Sequence, residues 1–427
     1  MNENQKVARF PVTKRERRRL LLRSKDGRLR VAVLLRGLTG WLLLFSIILF
    51  LAANYRLFLP DNLRRVGSYV SLGLNAAPGD MNTIPFQSSS YVDTELFAGG
   101  LAVADSDTLY VAHPGGLHQL TLQLGYAHIA LDASEDHILA YDRGGTGLTV
   151  TNGLAPLELD WGSDRLTSPI LNACMGLDGS FAVVTDEAGY KTAVRVFNKD
   201  QQLTYKWLTS EYYVQSAAVS PDGRRMAALA FRQNGAALEG RLLLFDLGRQ
   251  EVAAECSLDA SLGLEVRFLS DTVAAAVCDT GVYLVDLRGK AFCTETYPAS
   301  DLIGFAFDNG AVALARRSYT KSARSEVVVL SGNGRMTGPL ATEEELTGLS
   351  LAGGRLALLT TAGLHVYNDK LEPLWTDASA AGGRRVLLER DGTACVLFGK
   401  EARLLREMQS EEPIHGSDNL AADTGNP

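Results

Sequence analysis

Between residues 147 and 369 the chain repeats one short pattern: an apolar run, then a single Asn, Asp or Ser, then a turn. The copies read GLTVTN ending at Asn152, AVRVFN at Asn198, LLLFD at Asp246, VYLVD at Asp286, VVVLS at Ser331 and LHVYN at Asn368. Successive copies lie 46, 48, 40, 45 and 37 residues apart. Short apolar runs bounded by turn residues predict buried strands. A period near forty predicts that each repeat is one blade of a β-propeller.

The stretches between the copies predict four strands per repeat. One unit reads VQSAAVSPDGRRMAALAF and then GRLLLFDLGRQEVAAECSL (214–258), broken at SPDG, at a longer QNGAALEG loop and at DLGRQ. The next, GLEVRFLSDTVAAAVCDTGVYLVDLRGKAFCTETY (263–297), keeps the plan, and LTGLSLAGGRLALLTTAGLHVYNDKLEPLW (346–375) compresses it. Asp, Asn and Gly crowd the turns because they tolerate positive φ and hydrogen-bond their own backbone. The polar residue closing each copy is expected to end the third strand and cap the turn to the fourth. Weaker copies, GLHQLT (116–121) and ARLLR (402–406), flank the six. Counting both predicts eight blades; discounting the short first one leaves seven. The last unit lacks an outer strand, and SYVDTELF (90–97) is expected to supply it, so that no sheet edge stays open. The fold class is therefore all-β, a single propeller over 91–406.

Ahead of the repeats lies a different pattern. Residues 37–55, GLTGWLLLFSIILFLAANY, carry no charge over nineteen positions, long enough as a helix to span roughly 30 Å of hydrocarbon. Trp41 and Tyr55 sit near its ends, where aromatic rings favour the interface, and Arg36 and Arg56 bracket it. Residues 1–36 hold twelve Lys/Arg against three acids, a net of +9, so the remainder of this chain of net charge −7 sums to −16. The positive-inside rule then predicts a transmembrane signal anchor with a cytoplasmic basic tail (1–36) and everything beyond it extracytoplasmic. LAANYR offers no clean small-x-small cleavage site. The run KRERRRLLLR (14–23) is expected to rest on anionic lipid. Topology explains these basic residues, so no nucleic-acid partner is expected. Residues 56–90 read as a stalk, with a short helix after Pro60 and Asp61 and a linker over 75–90. Residues 407–427, acidic and poor in apolar side chains, read as disordered.

Two motifs carry a family resemblance. AVSPDGRRMAALA (218–230) resembles the strand–turn–strand of WD40-like and TolB-type repeats, and GVYLVDLRGKAF (281–292) resembles a quinoprotein-type blade. Over nearly its full length after residue 30 the chain resembles a group of bacterial, mostly Gram-positive, proteins of unknown function. These combine one N-terminal membrane helix with an outward propeller. The resemblance implies the fold and the anchor. It implies no reaction, and the Trp-Asp ending of true WD40 repeats is missing.

The chemistry-bearing residues add little to this. The patterns GxSxG, HExxH, GxxxxGK[ST] and DxDxDG are absent. SGNGRMTG (331–338) reads as a hairpin turn and DSD (105–107) as a surface turn. His113, His118, His128 and His137 fall close together, with Asp132, Glu135 and Asp136 among them, but their intervals match no ligand motif. If any pair were to bind metal, it would be His113 with His137. Tyr205, Trp207 and EYYVQS (211–216) suggest either an aromatic rim or blade packing. Cys174, Cys256, Cys278, Cys293 and Cys395 form no CxxC pair and read as buried thiols, with a Cys256–Cys293 bridge conceivable between neighbouring repeats. No catalytic, cofactor-binding or metal residue is assigned, and no cofactor. The expected function is a membrane-anchored, non-enzymatic binding scaffold for an envelope protein or glycan. The rival is an envelope hydrolase, lyase or quinone-dependent enzyme with its site in the propeller channel.

Overall fold

The computed structural model describes residues 39, 41–46, 48–49, 83–85, 92–97, 100–105, 107–113, 117–235, 237–319 and 324–407. The chain divides into two units, Met1–Gly73 and Leu74–Pro427. In the first, the described residues of the predicted anchor are helical and exposed. Among the described residues no helix is long and apolar enough to cross a membrane. The predicted basic tail, most of the predicted stalk and residues 408–427 lie outside the described residues.

The second unit consists of eight four-stranded antiparallel sheets, an eight-bladed propeller. The innermost strands, in blade order, are Val92–Phe97, Ile129–Ala133, Ile170–Met175, Tyr213–Val219, Gly263–Ser270, Leu302–Asp308, Leu346–Ala352 and Arg385–Leu388. The apolar interior is not one core. It forms eight clusters, each filling the seam between two adjacent blades. Middle strands are therefore packed on both faces, and they read as unbroken apolar runs rather than alternating ones. Val273–Cys278 is buried at all but its first residue. The fourth strand of the same blade, Ala291–Thr296, alternates half-buried and exposed because its outer edge meets water. Second strands are rich in alanine, such as Ala274–Ala276 and Ala227–Ala228. Small side chains suit the part of each wedge where neighbouring sheets converge on the axis.

Each repeated Asn, Asp or Ser stands where the pattern places it, at or just after the end of a third strand. Asp286 Oδ1 accepts from the backbone N–H groups of Arg288 (2.9 Å) and Lys290 (3.0 Å). Asn368 Oδ1 does the same for Lys370 and Glu372, both at 2.9 Å. Asn198 Oδ1 holds Asp200 and Gln202 at 3.0 and 2.9 Å. Within 331–338 the turn expected there spans residues 332–335, with Gly334 at φ 85°, and leads into Met336–Thr342.

Two expectations are corrected. GLHQLT is not a third strand: Leu117–Gln123 is the outer, fourth strand of blade 1, and the third is Thr108–His113. The ring is closed not by 90–97 but by Thr83–Pro85, which pairs antiparallel with Glu401–Leu405 through Thr83–Arg403, Ile84–Ala402 and Pro85–Glu401. The propeller thus begins inside the predicted linker. An outer strand has a free edge and needs only its inward residue buried, so a proline is tolerated there. Ile84 is fully buried and Pro85 exposed. Val92–Phe97 instead opens blade 1, placing Asp93 and Glu95 toward the channel.

Candidate functional site

All eight innermost strands line one central cavity of about 580 Å³. An innermost strand leaves one row of backbone groups without a sheet partner, and buried N–H groups require acceptors. Side chains from the preceding blade supply several. Asp93 Oδ2 accepts from Leu131 N (2.9 Å) and Asp132 Oδ2 from Met175 N (2.8 Å). Ser350 Oγ accepts from Leu388 N at 2.9 Å and Ser216 Oγ from Val266 N at 3.3 Å. Polar residues in these strands thus stitch blade to blade.

Two arginines join the carboxylates. Arg385, in the last blade, donates to Asp93 Oδ1 and Glu95 Oε1 of the first, both at 2.9 Å, across the seam where the ring closes. Arg267, in blade 5, donates to Glu265 Oε1 at 2.7 Å. It also reaches across the cavity to pair with Asp132 Oδ2 of blade 2 at 2.9 Å and to donate to the Met175 carbonyl of blade 3 at 3.3 Å. Burial pushes the Glu95 carboxyl up to about 7; Arg385 opposes the shift, and Asp132 and Asp93 reinforce it. Burial also raises Asp132, against the pull of Arg267 and the Met175 N–H. Both arginines stay charged, because the carboxylates outweigh the desolvation that would lower them. Between the two arginines the lining turns largely apolar, with Phe305 and Phe307 (centroids 5.8 Å apart) from blade 6 and Leu349 and Leu351 from blade 7.

The residues singled out from sequence do not form this site, Asp132 excepted. His113 ends the third strand of blade 1, with Nε2 2.5 Å from Gln119 Oε1, and burial lowers its pKa. His128 is exposed on the approach to blade 2. His137 lies in the hairpin after Ile129–Ala133, with Nε2 3.5 Å from Gln201 Nε2. Among the described residues no group of three or more His, Cys, Asp or Glu is arranged to hold a metal ion. Tyr205 and Trp207 pack on Phe245, at 6.3 and 4.8 Å between centroids, and Tyr212 is buried. Tyr213 alone of the group is exposed, stacked on Phe231 at 5.3 Å beneath Lys191 Nζ. All five cysteines are free, so Cys256 and Cys293 form no bridge.

Sequence reasoning passed over Asp93, Glu95, Glu265, Arg267 and Arg385. A signal was present: charges two residues apart inside an apolar strand, as in GLEVRFLS, share one face of the strand. A strand within a propeller packs against neighbours, so charges there must be paired with each other.

Known structures share this architecture. The C-terminal WD40 domain of Sif2 superposes with TM-score 0.52 at 11% identity, covering 75% of this chain and 98% of that one. Sqt1 of Saccharomyces cerevisiae gives 0.51 at 8% identity, covering 76% and 98%. BamB from Moraxella catarrhalis gives 0.48 at 13%, covering 78% and 98%. At such identities the first two show the fold alone. Among curated proteins none matches the chain. One family does match, and it takes in residues 81–371, from just before the closing strand to the seventh blade. The chain therefore belongs to the family of unknown function DUF5711.

Proposed function

We propose that the protein is a membrane-anchored, extracytoplasmic scaffold that presents the rim of its propeller to a partner at the cell envelope. The anchor is the uncharged stretch 37–55, with the +9 tail before it held in the cytoplasm. The observation that carries the scaffold reading is a hairpin of blade 4. Its strands, Arg225–Asn234 and Ala237–Asp246, run ten residues each, where innermost strands have four to eight. Pairing continues past Tyr213–Phe231 to Asn234–Ala237, so the hairpin overshoots its own blade's first strand. Arg232 braces it by ion pairs to Glu211 and Glu239, and Leu238 is left exposed near its tip. A stiff projection beside an exposed aromatic stack is the kind of feature partners grip.

Cross-linking in intact membranes followed by pull-down tests this reading. A partner captured by the native chain and lost on Leu238→Asp with Tyr213→Ala supports it; capture unchanged by both substitutions refutes the rim. Protease added to intact cells tests the topology, since an extracytoplasmic propeller is cut without lysis. A second reading, an envelope enzyme with its site in the channel, draws on Glu95, whose carboxyl near 7 suits proton transfer. Most neighbouring carboxylates are already engaged by arginine or backbone N–H groups, which favours binding over acid–base chemistry.

A further inference from the structure

The innermost strands share an irregularity that the channel does not explain. Just inside the start of each, in five consecutive blades (3 to 7), the pairing with the second strand skips one residue. Blades 1, 2 and 8 pair without a skip. The skipped residues are Leu171, Gln215, Leu264, Ile303 and Thr347. A β-bulge of this kind bends a strand and re-aims a side chain. Leu171 (43%), Leu264 (44%) and Ile303 (39%) are exposed, although Ile170, one position before the first of them, is fully buried. In blade 4, where the skipped residue is Gln215, Tyr213 is exposed instead, at the first position of the strand. Single exposed leucines are ordinary. Large apolar residues exposed at the same end of the innermost strand in four neighbouring blades are not scatter; they make an arc.

The arc lies on one face of the ring. Innermost strands begin there, and the blade 4 hairpin turns there, between its second and third strands. The chain enters the propeller at Thr83 and ends its last strand at Leu405 on the opposite face, since Thr83 pairs with Arg403 and Pro85 with Glu401. Neither end of the propeller therefore covers the arc. The loops leading into the innermost strands of blades 4 to 7 (210–212, 258–262, 297–301 and 343–345) contain Glu211, Asp259, Asp301, Glu343, Glu344 and Glu345 and no Lys or Arg. Glu211 is paired with Arg232, Asp301 is buried, and Glu344 lies beside His365. Asp259, Glu343 and Glu345 are exposed and form no ion pair among the described residues. Turns on the opposite face such as LRGK (287–290) and GNGR (332–335) are basic by contrast.

An apolar arc beside a one-sided fringe of carboxylates is complementary to a surface of positive charge. Phosphates are repelled by it, which excludes nucleic acid and anionic lipid. A short basic segment of another protein, with an apolar side chain between its Lys or Arg residues, satisfies both features. We propose that this face docks such a segment, its apolar side chain covering Leu264 and Ile303 and its cations set against Asp259, Glu343 and Glu345. That a partner exists rests on the rim reading; the docking site and the partner's chemistry do not.

Selection of phage-displayed random dodecamer peptides on the full chain in detergent micelles tests the assignment. Enriched peptides should carry Lys or Arg flanking Leu, Ile or Phe. One such peptide, titrated by fluorescence anisotropy, should bind 1:1. Its affinity should fall about tenfold or more on Leu264→Ser with Ile303→Ser, and as much on Glu343→Gln with Glu345→Gln. Glu251→Gln with Asp369→Asn, two exposed acids of the opposite face, should change it by less than about twofold. No enrichment, enrichment of acidic peptides, affinity unchanged by both pairs beside the arc, or an equal loss in the opposite-face pair overturns the proposal. The composition of peptides selected on the unaltered chain decides the matter even if a variant fails to fold. A partner captured from membranes while no basic peptide is enriched refutes this site and leaves the rim reading intact. Basic peptides bound through Leu264 and Ile303, with capture spared by Leu238→Asp and Tyr213→Ala, refute the hairpin's role and leave this site intact.

Discussion

Replacing Ile84 with alanine tests how the ring is closed. Ile84 is fully buried in the cluster between the last blade and the first, with Leu101, Val103, Tyr110, Leu397 and Leu404. The substitution removes about three methyl or methylene groups, worth roughly 2.5 kcal/mol of transfer free energy. A residual cavity adds about 1 kcal/mol if the surroundings hold their positions. The strand is only three residues long, so it relaxes partly, and about 3 kcal/mol is expected. Unfolding entropy of roughly 2.1 cal/mol/K per residue over about 325 residues converts this to a fall of about 4 °C in melting midpoint. Circular dichroism melts of the full chain measure it, with Pro85→Ala on the exposed edge as the control, expected within about 0.5 °C. A midpoint unchanged in Ile84→Ala would refute the assignment of Thr83–Pro85 as the closing strand.

Three further outcomes follow from buried charge and buried sulfur. Arg195, 1% exposed, is held by Asp164 (2.6 Å), Glu187 (3.0 Å) and the Thr185 hydroxyl (2.8 Å). Arg195→Met should cost about 3 kcal/mol in denaturant unfolding by stranding Glu187 and leaving Asp164 with Lys206 as its remaining ion-pair partner; a change under about 1 kcal/mol would contradict that account. Burial raises all five thiols, Cys278 and Cys395 to about 12, so a thiol reagent on the folded protein should label Cys293 first and the rest only on unfolding. The folded Glu95 keeps its proton to about 7, while the unfolded one releases it near the ordinary 4.5. The folded state then binds more protons in that window, and stability falls as pH rises through it. Unfolding curves at pH 5 and 8 should differ less in Glu95→Gln than in the unaltered protein; equal differences would exclude Glu95 as the source.

The legible and illegible parts of this chain divide by strand position. Third strands such as Gly281–Asp286 are buried on both faces and end at a capping Asp or Asn. Both facts are local, so the repeat and its period could be read directly, while the count stayed between seven and eight. The outer strand of blade 1, Leu117–Gln123, resembled a third strand because apolar character alone does not say which edge of a sheet a strand occupies. The closing strand was hidden for the opposite reason. Three residues, one of them proline, carry almost no pattern, and their place is set by pairing with residues more than 300 positions away.

The channel depends on the same distance. Asp93 and Arg385 are 292 residues apart, and Arg267 meets Asp132 from three blades away. The strands and their turns follow from hydrophobic burial and backbone capping, which neighbouring residues dictate. The order in which the ring closes and the charges it brings face to face arise only when eight wedges meet at one axis. The sequence by itself determined a repeat of four-stranded sheets, seven or eight in number; the tertiary structure alone decided that there are eight and that five acids and three arginines line their centre.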